Sequence, residues 1–136
     1  MDVPLVCTCS PGNPGCDECA AAVAASKTPS STPAFNLLVQ LTFIDTSSAQ
    51  MFVSSFEPLA KYVKENEPNT LMYQLMQSDK NPLLYNIIER YADKERDYLG
   101  THKSSDEFQS FRAILGDLQT LSKVKIAGES YVDVVF

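Results

Sequence analysis

The sequence predicts an α+β fold in which a four-stranded antiparallel sheet carries two helices on one face. Three observations lead there. A dense run of large apolar residues begins near residue 34. Its hydrophobic spacing alternates between the period of a strand and that of a helix, and the segments so marked fall in the order βαββαβ. That order is the ferredoxin-like split βαβ arrangement.

Each element follows from its residues. Phe35 to Ile44 (FNLLVQLTFI) is mostly apolar without a helical gap and has the length of one strand. Thr46 or Ser47 then supplies an N-cap, and Ala49, Phe52, Val53, Phe56, Leu59, Ala60 and Val63 recur at spacings of three and four, which gives an amphipathic helix over about 48–66. Pro58 is expected to kink or restart it, because proline lacks the N–H that the helical ladder needs. Thr70 to Gln77 forms a second strand, Ser78 to Pro82 a turn, and Leu83 to Ala92 a third strand, so the pair is an antiparallel hairpin. Asp93 opens a helical stretch that is interrupted at Gly100 and resumes at Ser105 or Asp106 through Phe108, Phe111, Ile114, Leu115 and Leu118. Lys123 to Phe136 is the last strand, with Gly128 as its expected bulge.

Composition narrows the function. The chain has 136 residues, 44% hydrophobic and 21% charged, which suits one soluble globular domain. Its formal net charge of −6 disfavours nucleic acid as a partner, since a basic face is what releases counterions from phosphate. No apolar run has the length of a membrane span. Residues 1–33 hold all four cysteines and five of the eight prolines, and they are read as a flexible Cys/Pro/Ser-rich segment ahead of a domain over 34–136. No secretory pattern stands at the N-terminus, so a cytoplasmic location with reduced thiols is expected. Two helices cover only one sheet face. The other is expected to be an apolar patch that meets a partner, most simply a second copy.

Several runs then carry a resemblance: Glu67-Pro68-Asn69-Thr70-Leu71-Met72-Tyr73, the strand ending Ile88-Glu89-Arg90-Tyr91-Ala92-Asp93, and His102 followed by Ser105 and Phe108-Gln109-Ser110-Phe111. From Phe35 onward the chain resembles the antibiotic biosynthesis monooxygenase family. The resemblance implies a dimeric α+β barrel, built by two ferredoxin-like sheets packed face to face. Some members oxygenate phenolic or anthrone-like compounds without metal or flavin, which implies a small aromatic or polyketide-type substrate, O2 and no cofactor for the domain. In the quinone-forming members the third strand carries an asparagine four residues before a tryptophan; here those positions are Ile87 and Tyr91, and Asn86 is one residue off. In the haem-degrading branch an axial histidine lies on the second helix, where His102 is the nearest match, but its accompanying tryptophan again falls at Tyr91.

Such chemistry needs an apolar pocket, a proton acceptor and a donor to a developing oxyanion. His102, the one histidine, is the first candidate for proton transfer. Alternation along the third strand puts Tyr85, Ile87, Glu89 and Tyr91 on one face and Leu84, Asn86, Ile88 and Arg90 on the other. Glu89 is therefore a second catalytic candidate, and Tyr73, Tyr91 and Asn69 are candidate substrate contacts in a pocket expected between the two sheets. Structural roles fit the same residues: an exposed or capping histidine, a Glu89 paired with Arg90, Arg112 or a residue across the dimer seam, and core tyrosines. The phenylalanine stripe of the first helix is core.

Cys7, Cys9, Cys16 and Cys19 form C-x-C-x6-C-x2-C. Four thiolates at this spacing suit one tetrahedral Zn²⁺, and Cu(I), disulfides and free thiols remain alternatives. Three functions are thus open: a cofactor-independent monooxygenase, a proton-transfer isomerase of the same fold, and a non-catalytic dimeric binding or stress-response module.

Overall fold

The computed structural model describes residues 33–136. The N-terminal segment, with the expectations placed on Cys7, Cys9, Cys16 and Cys19, lies outside the described residues. Strand β1 spans Phe35–Phe43, helix α1 Thr46–Asn66, β2 Thr70–Gln77 and β3 Leu84–Tyr91. A π-helical segment, Lys94–His102, leads into α2, Asp106–Thr120, and β4, Val124–Val132, closes the order. The strands are all antiparallel in the order β2-β3-β1-β4, so the expected ferredoxin-like sheet is present.

Both helices lie on one face. There Leu41, Phe43, Ile87 and Val124 of the sheet meet Phe52, Phe56, Leu59 and Val63 of α1 and Phe111, Leu115 and Leu118 of α2. Phe52 is the hub, with ring centroids 5.1 Å from Phe43, 5.8 Å from Phe56 and 5.7 Å from Phe111. Aromatic pairs at these separations add to the burial of their area.

Several local expectations are corrected. Helix α1 runs unbroken through Pro58, because Pro58 and Ser54, whose carbonyl loses its helical donor, are both on the exposed side, where water replaces the bond. Its cap is Asp45, whose carboxylate accepts from the Ser48 N–H at 2.8 Å, ahead of the expected Thr46 or Ser47. Gly100 interrupts nothing: the backbone widens instead, with the Tyr98 and Lys103 N–H groups donating five residues back to Asp93 and Tyr98. The bulge lies between Thr70 and Met72 on β2, and pairing is regular across Gly128. Strand β4 stops at Val132, and Asp133 turns to a bidentate pair with Arg90, both bonds 2.8 Å.

The other sheet face carries Leu38, Met72 and Met76, all substantially exposed, with Ile88 at its centre and Gln40, Thr42 and Gln74 between them. It is mixed in character, less apolar than the sequence suggested.

Candidate functional site

Strand alternation and the π-helical segment together build the site. Pairing of β1, β3 and β4 turns Leu37, Val39, Ile87, Glu89, Ile126 and Gly128 toward the helices. Opposite them α2 presents Phe108, Phe111, Arg112, Leu115 and Gln119, while Tyr73 and Tyr98 complete the walls. Between sheet and helix a cleft of about 280 Å³ remains. Of the candidate residues on the strands, Tyr73, Glu89 and Tyr91 thus face the helices within one chain, on the opposite side of the sheet from the open face where the pocket is expected. A larger groove, about 530 Å³, runs along α1 and the edge strand β2, yet it reaches neither Glu89 nor His102.

Glu89 is the acidic residue that lines the cleft, and it is only 7% exposed. It pairs with neither Arg90 nor Arg112. Instead the Tyr91 hydroxyl donates to its Oε1 at 2.6 Å. Burial pushes the Glu89 carboxyl above the usual carboxylate range, and the Tyr91 hydrogen bond and the His102 imidazole pull it only partly back. Tyr73 and Tyr91 are held well above the ordinary phenol value, first by burial and then by the charge of Glu89. Tyr91 is fully buried and stands behind the cleft wall, orienting Glu89.

His102 ends the π-helical segment and is fully buried. Four aromatic rings surround it, with centroids 5.0 Å away for Tyr73 and Phe108, 5.4 Å for Tyr91 and 6.3 Å for Tyr98. Its Nδ1 lies 3.0 Å from Glu67 Oε1, which also accepts from the Thr70 hydroxyl at 2.8 Å. With Nδ1–H given to that carboxylate, Nε2 is the ring atom left to take or give a proton. Nε2 is buried and, among the described residues, has no hydrogen-bond partner. Unpartnered polar atoms at such depth are rare in cores and concentrate at functional sites.

Sequence reasoning did not single out Glu67. Its place in the Glu-Pro-Asn run before β2 was visible, but the contact spans 35 residues and depends on the path of the π-helical segment. Asn69 is placed elsewhere: its Nδ2 donates to Asp97 at 3.3 Å in a small polar crevice with Arg96 and Thr101. Asp97, buried there, accepts from Asn69 and takes two bonds from Arg96 of 2.9 Å and 2.7 Å. Among the described residues no group of three or more His, Cys, Asp or Glu side chains converges to hold a metal ion, and no helix is long and apolar enough to cross a membrane.

Comparison with known proteins extends this. No functionally curated protein matches the chain. Among solved structures, a Caulobacter crescentus CB15 protein named for antibiotic biosynthesis monooxygenases is 26% identical and superposes with a TM-score of 0.63 over 76% of this chain and 92% of its own. A Nitrosomonas europaea protein named for the same class is 14% identical, with a TM-score of 0.60 over 78% of this chain and 96% of its own. SnoaB, a cofactor-independent oxygenase from Streptomyces nogalater, is 12% identical, with a TM-score of 0.58 over 77% and 97%. The last two show a shared fold. The sequence profile of the antibiotic biosynthesis monooxygenase family matches residues 35–114, a span that contains Glu67, Tyr73, Glu89, Tyr91 and His102, and the chain belongs to that family.

Proposed function

We propose that this protein is a cofactor-independent monooxygenase that binds a small aromatic, quinol- or polyketide-type compound in the cleft between sheet and α2. One observation carries the reading: an aromatic cleft whose lining, among the described residues, includes a single carboxyl, Glu89, held above its ordinary range and backed by the His102–Glu67 pair. A carboxyl raised toward neutrality is a better proton acceptor at physiological pH than an ordinary glutamate. Glu89 takes the proton from the bound phenol or activated methylene, and the Tyr73 hydroxyl donates to the oxyanion that develops. His102 is the second acid–base group, one layer behind, with Nε2 as its working atom. The electron-rich anion then reacts with O2. For an anthrone-type substrate the balance is one methylene group and one O2 giving one carbonyl group and one water: two C–H bonds and the O–O bond break, one oxygen atom stays on carbon, and the other leaves as water with both hydrogens. The substrate therefore supplies all the electrons. Membership of the family and the cofactor-independent chemistry of SnoaB support this reading. The cytoplasm is the proposed location, with a second copy covering the open sheet face and no nucleic acid as partner.

The test is oxygen uptake by metal-stripped protein with an anthrone or hydroquinone substrate. Glu89→Gln is expected to lower the rate by about 10²–10⁴-fold, the usual contribution of a positioned acid–base group. His102→Ala is expected to lose turnover while retaining ligand binding. Unchanged turnover in that variant removes His102 from the mechanism. Turnover under nitrogen points to the isomerase, and saturable binding without turnover to the binding module.

A further inference from the structure

Among the described residues the lining of the Glu89 cleft includes one cationic group, Arg112, and the state of that group says what the ligand carries. Arg112 rises from α2 and runs along the cleft wall: its Nη1 lies 3.8 Å from where a Cβ on Gly116 would stand, and its Nη2 donates to Gln119 Oε1 at 3.2 Å. Gly116 gives the side chain a flat bed on the helix, and Gln119 holds its end beside the cleft that both residues line. That bond goes to a neutral amide. Arg90 and Arg96 are each forked onto an aspartate, by Asp133 and Asp97. Among the described residues Arg112 makes no ion pair.

We propose that Arg112 anchors an anionic substituent of the ligand, so that the natural compound is a one- or two-ring aromatic bearing a carboxylate, its rings between Phe108 and the sheet and its far edge at Glu89. This rests on the reading of the cleft as the ligand site. Size supports the ring count, because about 280 Å³ falls at the small end of the range that holds drug-sized ligands. The guanidinium fork matches a carboxylate in two parallel bonds, which a lysine at the same place does not. Net charge of −6 provides no long-range pull on an anion, so any preference for one arises locally.

The experiment is isothermal titration of the full chain with 6-hydroxy-2-naphthoate and with 2-naphthol, which share the ring system and differ by the carboxylate. The carboxylated probe is expected to bind about 5- to 10-fold tighter, as one charge-assisted, partly exposed contact gives, and the preference should shrink with added salt. Arg112→Gln is expected to bring the two affinities together by weakening the carboxylated probe alone, with Arg112→Lys in between. Equal affinities in the wild type, a preference that survives Arg112→Gln, or no binding of either probe overturns the proposal. Oxygen uptake with 1,4-dihydroxynaphthalene, run beside it, separates the two readings. Uptake without a carboxylate preference removes the anchor and keeps the oxygenase; an Arg112-dependent preference without uptake keeps the anchor and removes the oxygenase.

Discussion

Replacing Glu67 by alanine tests the reasoning about His102 directly. Glu67 and His102 are both buried side chains, and the carboxylate holds two donors, His102 Nδ1–H at 3.0 Å and Thr70 Oγ1–H at 2.8 Å. Thr70 is partly exposed, so its hydroxyl can turn to water at little cost. His102 has no such escape. Its orphaned Nδ1–H costs about 1–3 kcal/mol, and the space left by the lost side-chain atoms adds to that, giving about 2–4 kcal/mol in all. At about 4–8 °C per kcal/mol for a domain near 100 residues, the melting midpoint falls by more than about 8 °C. Glu67→Gln keeps an acceptor oxygen and is expected to lose less than half as much.

Urea titration followed by far-UV circular dichroism reads the stability, and tyrosine fluorescence is unobscured because the chain has no tryptophan. The second readout is the imidazole itself. His102 is the one histidine among 136 residues, so its ring 15N resonances need no assignment. In the neutral ring of the wild type Nδ1 should be the protonated nitrogen, and Glu67→Ala should release a mixture of tautomers. An alanine variant within about 0.5 kcal/mol of wild type, or a wild-type ring protonated on Nε2, refutes the assignment of Nε2 as the working atom.

Other outcomes follow from the same geometry. The folded state holds the Glu89 proton more tightly than the unfolded chain does, so this group favours folding most below the unfolded carboxyl value and loses that contribution as pH rises through its raised folded value. Glu89→Gln should therefore gain stability relative to wild type as pH rises from the unfolded carboxyl value through the raised folded one, and a pH-independent difference refutes the raised value. A Cβ on Gly128 would meet only Val39 Cγ2, at 3.9 Å, so Gly128→Ala should fold normally, whereas Gly128→Leu should fill the cleft and weaken 6-hydroxy-2-naphthoate binding at least about tenfold without lowering the melting midpoint. Leu38 sits mid-sheet on the open face, beside Ile88 and Glu129. Light scattering at micromolar concentration should show a wild-type dimer and a Leu38→Lys monomer, and a monomeric wild type refutes the covering of that face by a second copy.

Most of the sheet was legible because each strand is short, locally marked and period-two. Alternation along β3 placed Tyr85, Ile87, Glu89 and Tyr91 together, and they do face one way. What alternation does not say is which face the helices take, and so the pocket is expected between two sheets, whereas the cleft that Glu89 lines is under α2. Pro58 misled for a related reason. Sequence gives the missing N–H, but only the fold shows that the orphaned carbonyl faces water.

The π-helical segment explains why the site itself was the least legible part. Helical reasoning assumes that residues three and four apart share a face. A turn closed five residues back inserts one extra residue, and every later side chain is rotated by about 100° from where the ordinary period would put it. Such closures run the length of the segment, from Asp93–Tyr98 at its start to Tyr98–Lys103 at its end. They carry His102 inward onto Glu67 and four aromatic rings, although nothing in the local pattern KERDYLGTH marks it as buried. Wide turns of this kind are costlier than α-helix and persist where tertiary contacts fix them. Here that contact is the Glu67–His102 hydrogen bond, joining the start of β2 to the end of the segment. The same bond that positions the imidazole therefore also holds the backbone that delivers it, which is why the loss in Glu67→Ala should appear in stability and in the histidine tautomer together.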